Sequence, residues 1–164
     1  MGSIGPQKLA TWFDAYAAQL VLYARQWLDV GLAEDAVQDV FVRMAAIRSE
    51  PANAKAWLFR SVRNEAISKI RSRWRRQNHE AKRAANQPNW FEPRPDELVD
   101  SAMAQSALES LPAEQQEVVI LRLWAGMTFQ EISDIVGRSV STVADRYHSA
   151  LAAIRRMMEK CHER

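Results

Sequence analysis

Residues 128–151, TFQEISDIVGRSVSTVADRYHSAL, constrain the fold more than any other stretch of the chain. Thr128 is placed to cap a helix through its hydroxyl, and Glu131, three residues on, to reach back to the free backbone N–H, which makes a capping box. Ile132, Ile135 and Val136 then fall on one helical face. Gly137 suits the left-handed conformation that ends a helix, and Ser139 is placed to cap the next one. In that second helix Val140, Val143, Tyr147, Leu151 and Ile154 recur at spacings of three and four, which predicts one buried stripe. The remaining surface carries Arg138, Ser141, Thr142, Ala144, Asp145, Arg146, His148 and Ser149. Two short helices joined at a glycine, the second with a free polar face, form the pattern of a helix-turn-helix. A helical hairpin inside an all-α core is the plainer reading of the same residues.

The rest of the chain narrows the choice. Its 164 residues suit one domain or two small ones, and 48% hydrophobic residues with only 5 Gly and 6 Pro predict a soluble, helix-rich protein. No apolar run approaches the roughly 20 residues that span a bilayer, and the N-terminus lacks the basic and apolar regions of a signal peptide. A cytoplasmic protein without membrane contact is expected. The single cysteine, Cys161, excludes an internal disulfide and a multi-cysteine zinc site, and its neighbour His162 does not complete a ligand set. His79, His148 and His162 are scattered, and neither a Gly-rich phosphate loop nor an HExxH pattern occurs. The expectation is a protein with no catalytic residues, bound metal or cofactor.

Charge is distributed unevenly. Between residues 55 and 83 ten Lys and Arg stand against two acids, Glu65 and Glu80, whereas between 84 and 119 one base, Arg94, stands against seven acids. Such a basic block is expected where a surface meets phosphates.

Taken in order, MGSIGP is polar and glycine-rich and is set aside from the fold reading. Leu9, Trp12, Phe13, Tyr16, Leu20, Tyr23, Ala24 and Trp27 step by three and four, predicting a helix with an aromatic-rich buried face that Gly31 ends. A second helix, about residues 33–47, has the apolar stripe Ala33, Val37, Val40, Phe41 and Met44. Asp35, Gln38, Asp39 and Val42 share another face, flanked by Glu34. Stabilisation of the helix N-terminus by Glu34 and Asp35 explains these acids as well as a docking surface does. After RSEPANAK comes a long helix, AWLFRSVRNEAISKIRSRWRR, in which Leu58, Val62, Ala66, Ile70 and Trp74 step by four and mark the predicted core side. Arg60, Arg63, Asn64, Arg71 and Arg75 lie elsewhere around it, without interleaved acids, which favours a polyanion partner. The polar, proline-rich stretch that follows reads as a linker, with Trp90 and Phe91 as exceptions. Next come a helix bearing Met103, Ala107, Leu108 and Leu111, then AEQQEVVILRLW, with Pro112 placed at its first turn, Val118, Val119, Leu121 and Leu123 as its apolar residues and Gly126 as its stop. The fold class is all-α, with two small helical domains: residues 1–78, a flexible linker at 79–100, and residues 101–164, which contain the helix-turn-helix.

Three stretches in register, AEDAVQDVFVRM, AWLFRSVRNEAISKIRSRWRR and LPAEQQEVVILRLWAGMTFQEISDIVGRSVSTVADRY, make the chain similar to the extracytoplasmic-function sigma factors of the sigma-70 class. The resemblance implies a promoter-specificity subunit of RNA polymerase, with domain 2 at residues 1–78 and domain 4 at 101–164. It assigns Glu34, Asp35, Gln38 and Asp39 to binding core RNA polymerase. Asn53, Lys55, Arg60, Arg63, Asn64 and Arg71 become candidates for the minus-ten promoter element, where amides and guanidinium groups suit a flipped base and its phosphates. Trp57 and Phe59 are of the kind that stacks on bases, and their spacing beside Leu58 predicts that one is core. Arg138, Ser141, Thr142, Asp145, Arg146, His148 and Ser149 become candidates for the minus-thirty-five element, read in the major groove. An anti-sigma protein is a further implied partner. The chain departs from the family by having Ser68 where an Asp is common, and Ala144, Asp145 and Ser149 where Lys, Ser and Arg are common. Fewer bases weaken the phosphate contacts, and an acid can accept from a cytosine amino group, so an altered target sequence is implied. The alternative is a stand-alone helix-turn-helix regulator, which would normally dimerise on a palindrome; no plain dimer helix is evident.

Overall fold

A computed structural model of the chain describes residues 4–78 and 106–162, and every regular element among them is helical. The chain divides into two compact units, Met1–Trp90 and Phe91–Arg164. The all-α, two-domain expectation therefore holds. The linker reading at 79–100, with Trp90 and Phe91, and the placing of Met103 lie outside the described residues.

The first unit is built on three helices: α1 (Pro6–Ala24), α2 (Val30–Ala46) and α3 (Ala54–Gln77), each packed on the other two. Proline at the first position of α1 gives up no helical hydrogen bond, since that N–H would have no partner anyway. Ile4, in the segment set aside above, is buried, so the start of the chain contributes to the core. Gly31 does not end α1. The helix stops at Ala24, and Asp29 caps α2 by accepting from the Leu32 N–H at 2.9 Å, which places Gly31 in the first turn of α2. Asn53 caps α3 in the same way, accepting from the Ala56 N–H at 3.0 Å.

Ala33, Val37, Val40, Phe41 and Met44 are all buried, joined by Ala36. Against them lie Leu20, Tyr23 and Ala24 of α1 and Leu58, Phe59, Val62 and Ala66 of α3. The Tyr23 ring sits between Trp27, edge-on at 5.1 Å, and Phe59 at 5.3 Å. Phe59 is fully buried and Trp57 only partly, which settles which of the two belongs to the core. Phe13, predicted on the buried face, is 44% exposed and touches Phe41 only edge-on, because the buried part of α1 is its C-terminal end.

Trp74, predicted on the core side, is 66% exposed. The helical period explains this. Each step of four residues overshoots a full turn by about 40°, so four steps from Leu58 rotate Trp74 by about 160°, to the opposite side of α3.

In the second unit a helical turn over residues 106–109 precedes α4 (Ala113–Val119), with Pro112 at its N-cap position. The helix continues as a π-turn over Ile120–Trp124, closed by the Ala125 N–H donating to the Ile120 carbonyl at 3.1 Å. The wider turn rotates Leu123 and Trp124 outward; they are 53% and 42% exposed, while Ile120 and Leu121 stay buried. Helices α5 (Phe129–Val136) and α6 (Val140–His162) follow. α6 packs on both α4 and α5. The capping box is present: Thr128 Oγ1 accepts from the Glu131 N–H, and the Glu131 carboxylate accepts from the Thr128 N–H at 2.8 Å. The α6 stripe centres on Val143 and Ala150, both fully buried, whereas Val140 is 39% exposed.

Gly137 has φ 68°, the left-handed region, and a Cβ there would meet nothing within 4 Å. Gly137→Ala is therefore expected to lose about 1–2 kcal/mol, all of it backbone strain. Chemical denaturation checks this; an unchanged midpoint would show that the turn relaxes.

Candidate nucleic-acid and protein interfaces

The exposed face of α2 assembles itself from the helical period. Glu34, Asp35, Gln38, Asp39 and Val42 fall within an arc of about 140°, and all five are exposed, Val42 at 70%. Because α2 begins at Val30, its first turn contains no acid, and Glu34 and Asp35 lie beyond the reach of helix-dipole stabilisation. Capping of the N-terminus falls to Asp29 instead. Asp39 does have a neighbour, Lys69 of α3, at 3.4 Å, and keeps 57% of its side chain exposed.

On α3 the one acid, Glu65, points away from the outer face, toward α2, where it meets Arg43 at 2.6 Å and Lys69 at 3.5 Å. Arg73 lies 3.9 Å from Asp29. Part of the basic block is thus salt-bridged to α2 after all, by acids that interleave in space and not in sequence. The opposite side holds the candidate contacts. Arg60, Arg63, Asn64 and Arg71 fall within an arc of about 100°, with Arg60, Asn64 and Arg71 exposed and Arg63 half-buried. Arg75 and Arg76 are also exposed, and their guanidinium groups hydrogen-bond back to Arg71 and Ser72 carbonyls one turn earlier. The structure does not bring Lys55 to this arc: it is half-buried, its ammonium 5.8 Å from the Tyr16 ring centroid. Asn53 stands at the N-terminus of the helix as its cap.

In the second unit Arg122 holds the turn before α5. Its guanidinium donates to the Met127 carbonyl at 2.7 Å and lies over the Phe129 ring at 4.9 Å. Ser133 Oγ donates to the Arg138 carbonyl at 2.5 Å, fixing the turn between α5 and α6. Ser139 caps α6 as expected, accepting from the Thr142 N–H at 3.3 Å, and its hydroxyl lies 2.8 Å from that of Thr142 and 3.2 Å from that of Ser141. Ser141, Asp145, His148 and Ser149 share one exposed arc, and Arg138 is exposed at the turn before them. The His148 ring packs edge-on near Phe129 and Tyr147. Thr142 is half-buried at the edge. Arg146 is turned away, about 140° around the helix from Ser141. Its guanidinium sits 2.7 Å from Glu114 of α4, with only 20% of the side chain exposed. The sequence contains no local signal for that pair, since the partners are 32 residues apart.

No group of three or more metal-ligating side chains occurs among the described residues, and no helix among them is long and apolar enough to cross a membrane.

The Sigma-70 region 2 model matches residues 12–76, which hold α2 and α3, and the Sigma-70, region 4 model matches residues 101–154, which hold the helix-turn-helix. The chain is 30% identical over 156 residues to the ECF RNA polymerase sigma factor SigL of Mycobacterium tuberculosis, covering 90% of this chain and 87% of that one. The chain belongs to the ECF sigma factor family. Its role is in transcription initiation, and the stand-alone regulator is not favoured. The sigma factor is also 28% identical to SigE of Mycolicibacterium smegmatis over 78% of its own length and 52% of that protein's. In fold it is similar to the sigma factor RpoE of Bartonella quintana, solved in complex with the anti-sigma factor NepR, at a TM-score of 0.72 and 24% identity over 92% of this chain and 95% of that one. It is similar likewise to CnrH, solved with the cytosolic domain of CnrY, at a TM-score of 0.66 and 22% identity over 95% and 90% of the two chains. Neither matching family model is a catalytic one.

Proposed function

We propose that this sigma factor has no chemistry of its own and acts in the cytoplasm by docking the exposed face of α2 on core RNA polymerase. In that complex α3 reads the minus-ten element and α6 the minus-thirty-five element. The observation that carries the reading is the outer arc of α3. Arg60, Arg63, Asn64 and Arg71 share it, and the one acid of the helix faces α2 instead. Cationic side chains gathered on one helix face suit phosphates, and the Asn64 amide offers both a donor and an acceptor to a base edge. On α6, Ser141, Asp145, His148 and Ser149 suit base edges, with Arg138 at the turn for the backbone. Only one base in that set leaves domain 4 a weak reader alone. Attachment to the same polymerase makes its contact effectively intramolecular and raises its occupancy. The anti-sigma factor in the Bartonella quintana structure supports a similar partner here.

A mobility-shift assay with and without core enzyme tests the reading. Specific retention of promoter DNA is expected only in the presence of core; tight, specific binding by the free protein would overturn it.

Arg146 is assigned a subsidiary role: Glu114 and a DNA phosphate compete for its guanidinium. Arg146→Ala is expected to weaken minus-thirty-five binding and to lower its salt slope by about 1, while Glu114→Gln strengthens binding. Unchanged affinity in both variants would leave Arg146 to the fold alone.

A further inference from the structure

The exposed indole of Trp74 lies on the arc that holds Arg60, Asn64 and Arg71. Around α3, Trp74 stands about 40° to one side of the Arg60 line, and Arg71 and Arg75 about 20° and 60° to the other. Arg71, one turn earlier, is its direct surface neighbour, and Asn78 lies one turn later; both are exposed. Neither Arg71 nor Arg75 has an acid within ion-pairing distance among the described residues. A tryptophan left 66% exposed among cations does not serve the core of its unit.

We infer that Trp74 stacks on an unpaired base of promoter DNA while Arg71 and Arg75 hold the flanking phosphates, extending the contact surface of α3 beyond Asn64. Aromatic rings set in a basic track are the usual platform for single strands, because every base has a π-face and every linkage a charge. Other occupants of an exposed indole fit less well. An acidic protein surface would use the arginines but has no need of the flat ring, and a purely apolar partner would be penalised for burying three guanidinium groups. The distance is suitable: Trp74 lies about 21 Å along the axis from Arg60, the reach of roughly six nucleotides at 3.4 Å each. One helix face can therefore follow a strand continuously. The inference rests on the proposed minus-ten role of α3.

The experiment uses reconstituted holoenzyme with two promoter fragments, one fully paired and one with a non-complementary, pre-opened minus-ten segment. Trp74→Ala is expected to lose about ten-fold or more in affinity for the opened fragment, with Trp74→Phe retaining most of it and affinity for core unchanged. Asn64→Ala is measured in parallel. If Asn64→Ala weakens binding and Trp74→Ala does not, the stacking role is wrong and the minus-ten reading stands; if neither does, both fall. Reduced affinity for core in Trp74→Ala would assign the ring to a protein interface. A drop of several degrees in the melting temperature of the free variant would assign it to an intramolecular contact. Either outcome overturns the proposal.

Discussion

Asp35→Arg combined with Asp39→Arg is expected to abolish co-purification with core RNA polymerase while leaving the far-ultraviolet spectrum and melting temperature nearly unchanged. Both side chains are exposed, so the fold has little stake in them. The Asp39–Lys69 pair, more than half exposed at Asp39, is a surface bridge of the kind that contributes well under 1 kcal/mol. Reversing two charges at a complementary interface replaces attraction by repulsion and costs several kcal/mol, enough to lose a pull-down. Asp35→Arg alone is the companion variant, since it leaves the Lys69 contact intact. Its loss of core binding would exclude an indirect effect through α3. Full retention of core by the double variant would remove this face from the interface.

Phe59→Ala is expected to be the most destabilising single change in the first unit, at about 3–5 kcal/mol. The ring is fully buried against Tyr23, and truncation leaves a cavity where α1 and α3 meet. That is a large fraction of the roughly 5–15 kcal/mol available to a domain. Denaturant unfolding of the full chain measures it; a loss below about 1 kcal/mol would mean that the site collapses around the smaller residue. Trp57→Ala, at a half-buried position, should lose less.

Much of this architecture was legible because helical periodicity and capping are local. The five-residue stripe of α2, the Thr128–Glu131 capping box and the left-handed Gly137 each depend on residues within one or two turns. The misreadings arose where geometry accumulates or partners come from afar. Stepping by four tracked the core at Leu58 and Val62 but had rotated off it by Trp74. A π-turn, which no residue type announces, displaced Leu123. Gly31 looked like a helix stop, yet Asp29 two residues earlier was the stronger signal for a helix start. For the candidate interfaces, the exposed arcs of α2 and α3 followed from spacing, whereas Arg146 did not: its orientation is decided by Glu114 on another helix.

The division of labour along α3 has a consequence for how this protein diversifies. Its buried residues, Leu58, Phe59, Val62 and Ala66, all lie within its first thirteen residues, and none of residues 71–78 is buried. Substitutions in those last two turns change what the helix offers to a ligand without disturbing what holds it up. On the proposed minus-ten reading of α3, duplicated copies of such a gene can therefore drift apart in target preference there, each remaining a stable protein at every step.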